Sequence, residues 1–80
     1  FMIKNPTIED LRKQVEAQSY CHVNYPPHRA KHLLDVFSMS ALVQLHDAMS
    51  PEARAKLNIM VSTSFVELSR ALDFAMRQMR

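Results

Sequence analysis

The chain has 80 residues, 48% of them hydrophobic and 22% charged, with a formal net charge of +2. That length makes one domain near the lower limit at which an apolar core holds a fold without staples, so assembly with a partner is an early expectation. The balance is too apolar for a disordered tail, no apolar run is long enough to cross a bilayer, and a single cysteine cannot build a disulfide framework.

No charged-then-apolar leader opens the sequence, and the lone thiol suits a reducing compartment, so the reading is a cytoplasmic protein folded as one domain over 1–80. Phe1, ahead of Met2, reads as a cloning remnant and takes no part in the functional reading. Glycine is absent altogether. The favoured tight hairpins need residues that tolerate positive φ, and no Asn-Gly or Asp-Gly pair is present. The composition therefore predicts an all-α fold, a small bundle of about three helices with the last one long.

In chain order, Pro6-Thr7-Ile8-Glu9-Asp10 opens the first helix, with Thr7 as cap and two carboxylates on the positive end of the dipole. Ile8, Leu11 and Val15 follow at helical spacing. Residues Tyr20 to Tyr25 tolerate extended backbone and end at Pro26-Pro27, which marks a linker over about 20–27. The second helix is predicted from Pro27 or His28 to about Met49. It carries one apolar stripe of Ala30, Leu34, Phe37, Ala41, Leu45 and Ala48, and a second of His32, Val36, Met39, Val43 and His46. A helix apolar on two sides is covered on two sides, either by its neighbours or by another protein.

Ser50-Pro51-Glu52 is the strongest local signal: a cap, a proline at the first helical position and a carboxylate on the dipole. The third helix starts there. Val61, Phe65, Leu68, Leu72, Ala75 and Met79 alternate at four and three, the seam of a helix packed along another. Val61-Ser62-Thr63-Ser64 is poor in helix formers, and Ser64 with Glu67 reads as a capping box. A break near Ser62–Ser64 is thus the alternative to one continuous helix.

Four chemistries compete for these residues. Cys21, His22, His28 and His32 surround the double proline, and His28 and His32 stand four apart, but no paired ligand pattern accompanies them. They are weak zinc candidates, and no cofactor is predicted. Cys21 and His22 are adjacent, so extended backbone points them to opposite faces, and no third residue orients a base. Without glycine there is no phosphate loop or dinucleotide fingerprint, and the chain is read as non-enzymatic. For nucleic acid, Arg29, Lys31, Arg54 and Lys56 form the best basic clusters, yet the charge signs are mixed along the chain.

Protein interaction remains the leading expectation. His32, Val36, Met39, Val43 and His46, with Phe74 on the outer side of the last helix, are the candidate partner-binding residues. Val61, Phe65, Leu68, Leu72 and Met79 are the candidate self-association seam of a homodimer. Six methionines supply adaptable apolar surface. By analogy of size and style, the sequence suits a small regulator or inhibitor of the phage, plasmid or bacterial accessory kind, with a DNA- or RNA-binding helical regulator as the alternative.

Overall fold

The computed structural model describes residues 2–79. Along the chain run β1 (Met2–Lys4), α1 (Ile8–Glu16), β2 (Cys21–Asn24), β3 (His32–Leu34), α2 (Val36–Ala48), α3 (Pro51–Thr63) and α4 (Phe65–Gln78). The fold is a mixed α/β domain, so the all-α three-helix bundle read from the sequence is corrected. The three strands form one sheet in the order β1-β2-β3. β1 runs parallel to β2, with Met2 opposite His22 and Lys4 opposite Asn24, while β3 runs antiparallel, with Leu33 opposite His22.

The sheet forms without glycine for a topological reason. β1 and β2 are parallel and joined through α1, so no hairpin is needed between them. β2 and β3 are joined by residues 25–31, a loop wide enough to avoid a two-residue primed turn, with a cis Pro26–Pro27 bond and His28 N–H donating to Tyr25 C=O at 3.0 Å. The left-handed positions that glycine usually occupies go to Asn5 (φ 44°) and Gln18 (φ 56°). Gln18 follows the last turn of α1, where its N–H bonds Val15 C=O and the Ser19 N–H bonds Gln14 C=O, a Schellman closure.

α1 begins on the Thr7 cap expected from the sequence, and the Asp10 side chain completes it as a capping box. The second helix starts later than predicted. His32-Leu33-Leu34 pairs with β2, and Asp35 then caps α2, its Oδ1 accepting from Ser38 N–H at 2.7 Å. α3 begins on the Ser50 cap, as read from the sequence. It ends at Thr63, and Ser64 caps α4 by accepting from Glu67 N–H at 3.2 Å, so the last helix is divided at the weak stretch.

The helices cover one face of the sheet. Cys21, Val23 and Leu34 point into the core with Ile8, Leu11, Met39, Leu42, Leu57, Val61 and Leu68. α2 is the central helix, in contact with α1, α3 and α4. That position explains why Met39, Ala41, Leu42 and Val43 are all buried, while Phe37 stays exposed. On the other face, Met2, His22 and Leu33 stand in one row by register, and Leu33 is 60% exposed.

Polar contacts brace this packing. Burial pushes the Tyr25 phenol above its ordinary pKa, and its hydroxyl donates to Val61 C=O at 2.6 Å. Across α1 and α2, Arg12 grips Asp47 with two bonds, Nη2 to Oδ1 at 2.8 Å and Nη1 to Oδ2 at 2.9 Å. Arg12 also reaches Glu9. His46 Nδ1 lies 3.1 Å from Asp47 Oδ1, and its Nε2 lies 3.4 Å from Asn58 Nδ2. The tautomer protonated on Nδ1 satisfies both contacts. Arg54 closes the end of α2 by donating to the carbonyls of His46 and Asp47.

Three outcomes follow from these features. Tyr25→Phe leaves the buried Val61 carbonyl without its donor and should lower the unfolding free energy by about 1–3 kcal/mol in chemical denaturation. Gln18→Gly removes a left-handed penalty of about 1 kcal/mol against an entropic cost of about 0.5 kcal/mol, so the variant should be slightly more stable. Hydrogen bonding from Arg12, then from His46, holds the Asp47 carboxyl well below the usual carboxylate range. A depressed folded-state pKa stabilises above the unfolded value and is lost as pH falls through the folded one. The melting temperature of the native chain should therefore exceed that of Asp47→Asn at pH 7, and the gap should begin to narrow below about pH 4 and close only as pH falls through the depressed folded-state value. A gap independent of pH would show that the ion pair contributes nothing.

Candidate functional site

The structure disperses the candidate residues of the sequence reading. Met39 and Val43 are buried in the core, with Met39 Sδ 3.7 Å from Cys21 Sγ, and their contacts are already made within the chain. Val36 is half-buried in the first turn of α2. His46 belongs to the Arg12–Asp47 joint. His32 stands in β3 instead of on α2 and stacks on Phe65, with ring centroids 3.6 Å apart and planes 5° from parallel. The two stripes drawn through a helix from 27 to 49 therefore do not exist upstream of Val36.

Among the residues read as a self-association seam, Val61 and Leu68 are fully buried. Phe65 and Leu72 pack partly buried against the core, and only Met79, 45% exposed, stands largely in solvent. The seam is the inner face of α3 and α4. Its periodicity is real, and the partner it implies is the rest of this chain.

The four zinc candidates are also separated in role. Cys21 is buried, and burial pushes its thiol above its ordinary pKa. His22 lies on the open face of the sheet, edge-on to Tyr20. His28 and His32 line a hollow of about 290 Å³ with Tyr25, Ser64, Phe65 and Val66. Among the described residues, no three His, Cys, Asp or Glu side chains gather as metal ligands. Of the basic candidates, Arg29 and Lys31 are exposed in the loop before β3, Arg54 is occupied by the end of α2, and Lys56 is exposed on α3.

What the structure does assemble is a groove between α3 and α4. Met49, Ala53, Leu57 and Met60 form one wall, Ala71 and Phe74 the other, and Lys56 and Arg70 stand beside them. The space amounts to about 210 Å³, enough for one large side chain. Its geometry follows from local sequence. The Ser64 break lets α4 fold back along α3, and alanines at 53 and 71 keep the helix surfaces low where the groove opens.

Two groove residues were singled out in the sequence: Phe74, 45% exposed, as an aromatic among charges on the outer side of the last helix, and Lys56 as part of a basic cluster. Met49, Met60, Ala53 and Ala71 were missed. Their signal was small and flexible apolar residues repeated on facing turns, which becomes visible only when the break at Ser64 is known. Arg70 is held by Glu67 at 3.0 Å, while no ion pair involving Lys56 is present among the described residues. The groove is thus an apolar slot with cationic borders, and it holds no arrangement of nucleophile, base and orienter.

No helix among the described residues is long and apolar enough to cross a membrane. Comparison with protein-family models, with curated proteins and with solved structures finds no match to this chain.

Proposed function

We propose that this chain is a non-catalytic protein-binding module, a small cytoplasmic regulator or inhibitor that takes one large apolar side chain of a partner into the groove between α3 and α4. The observation that carries this reading is the groove itself: an apolar lining that includes the exposed Phe74 and two methionines, Met49 and Met60. Apolar slots with a few flanking charges are the common form of a helix-in-groove site. Methionine walls adapt to the shape of what enters.

The borders choose the partner's chemistry. Lys56 and Arg70 favour carboxylates beside the inserted side chain, so the expected ligand is a short amphipathic segment with an Asp or Glu within a turn of a Leu, Phe or Met anchor. Most of the binding energy would reside in that anchor, with the charges setting approach and selectivity.

A displayed library of random peptides, panned on the native chain with Phe74→Glu as counter-bait, tests this. Enriched sequences should share an apolar anchor flanked by acidic residues, and their affinity should fall by at least about tenfold on Phe74→Glu, which places a like charge in the slot. Lys56→Ala should weaken binding about two- to fivefold and reduce its salt dependence. Equal recovery on both baits would overturn the proposal. Enrichment of nothing, together with steeply salt-dependent retention on heparin lost in Lys31→Ala, would favour the nucleic-acid reading in its place.

A further inference from the structure

β3 is an outer strand of the sheet, and among the described residues no strand pairs with its far side. The three residues Lys31, Leu33 and Asp35 are all exposed, Leu33 at 60%. Edge strands with an exposed apolar centre invite another strand, and folds that stay single block them with lysine, proline or a covering loop. Here the lysine lies at one end of the strand and a carboxylate at the other, both two residues from Leu33.

That spacing is self-complementary. We propose that β3 is the seat of a second copy of this chain, paired antiparallel about a two-fold axis at Leu33. In that register Leu33 faces the partner's Leu33, and Lys31 faces the partner's Asp35 twice over, once on each side of the axis. Isologous contacts of this kind close at two copies. Asp35 can serve both ends: its Oδ1 accepts from Ser38 N–H at 2.7 Å to cap α2, which leaves Oδ2 for the incoming ammonium.

The pairing also extends what the sheet already contains. Met2, His22 and Leu33 form one row across the three strands by register. Joining two copies at Leu33 makes that row continuous over six strands, with the two Leu33 side chains neighbours across the dyad. The opposite edge lacks this property. Antiparallel self-pairing of β1 about Ile3 would set Met2 against Lys4, a thioether against an ammonium, with no carboxylate at the matching position.

His32 and Leu34 do not obstruct the approach, since they point to the helical side, where Leu34 is buried and His32 stacks on Phe65. The strand is short, so the contact belongs at the small end of interface sizes and dissociates on the order of micromolar concentration. The inference is independent of the groove between α3 and α4, which the second copy leaves open to a different ligand.

Light scattering over a dilution series of the full chain should show a monomer–dimer equilibrium. Leu33→Glu sets two like charges against each other at the axis and should raise the dissociation constant about a hundredfold with the circular dichroism unchanged, and Lys31→Glu should raise it roughly tenfold. Asp35→Asn keeps a capping oxygen and should weaken the dimer by less than Lys31→Glu. Should Leu33→Glu fail to fold, Leu33→Cys provides an independent reading. Two-fold pairing predicts a disulfide-linked dimer on mild oxidation, whereas Ile59→Cys, an exposed control on α3, should not cross-link. A monomer at every concentration up to about 1 mM would overturn the proposal. So would a dimer unaffected by both Leu33→Glu and Lys31→Glu, or one lost in Phe74→Glu, which would place the interface in the groove.

Discussion

The end of α3 is the joint on which the rest of the molecule depends. A helix leaves its last carbonyls without intrahelical partners, and where the chain turns sharply into another helix there is little room for water to supply them. Here the sheet layer does so. Tyr25 Oη donates to Val61 C=O at 2.6 Å, and Asn5 Nδ2 donates to Ser62 C=O at 3.1 Å. Ser62 in turn donates its hydroxyl to Pro6 C=O at 2.6 Å. Three residues from the strands and their connections thereby hold the C-terminal turn of α3 against the sheet, and Ser64 can start α4 at once.

The groove between α3 and α4 follows from that joint. If α3 continued through Ser64 as one long rod, Phe74 and Ala71 would lie several turns beyond Leu57 and Met60, about 1.5 Å farther for each residue. The break folds α4 back so that these side chains share one groove. It also brings Phe65 to His32, where ring stacking fastens the start of α4 to β3. The two helical residues most affected by the break, Val61 and Phe65, were read from the sequence as parts of an intermolecular seam. They are the contacts by which the chain closes on itself.

What could be read from the residues was local. Thr7 with Asp10, and Ser50 with Pro51, are complete chemical instructions within a few residues, and the helices start there. The weak stretch at Ser62–Ser64 contained its own capping signal, visible beside the alternative of a continuous rod. The strands were illegible because their pairing is not local. His32-Leu33-Leu34 has helical as well as extended promise, and only the presence of Cys21–Val23 alongside decides for the strand. Asp35 was the overlooked clue, a capping residue three before Ser38 that denies the helix any earlier start. Likewise, no glycine count can exclude a sheet whose connections are a helix and a wide proline loop, and in which Asn5 and Gln18 accept the left-handed backbone.

Large apolar side chains remain exposed, Leu33 and Phe74 among them. α2 carries apolar residues on several sides because α1, α3 and α4 all contact it, and Met39, Ala41, Leu42 and Val43 are buried there, while Phe37 is left 61% exposed. The surplus lies where a two-layer fold must leave it. A sheet covered by helices on one face has an open second face and two open edges, and a helical pair with low alanine surfaces leaves a slot between its walls. Leu33 marks the first and Phe74 the second, and both lie beside charges whose signs restrict what can cover them. Around Leu33 the charges are one of each sign at equal spacing, which favours another copy of the same strand. Around Phe74 the pocket-lining charges are both cationic, which favours an acidic partner instead of self-association. The same physical cause, apolar surface that an 80-residue chain cannot fold away, thus underlies both proposed sites, which would not compete for one ligand.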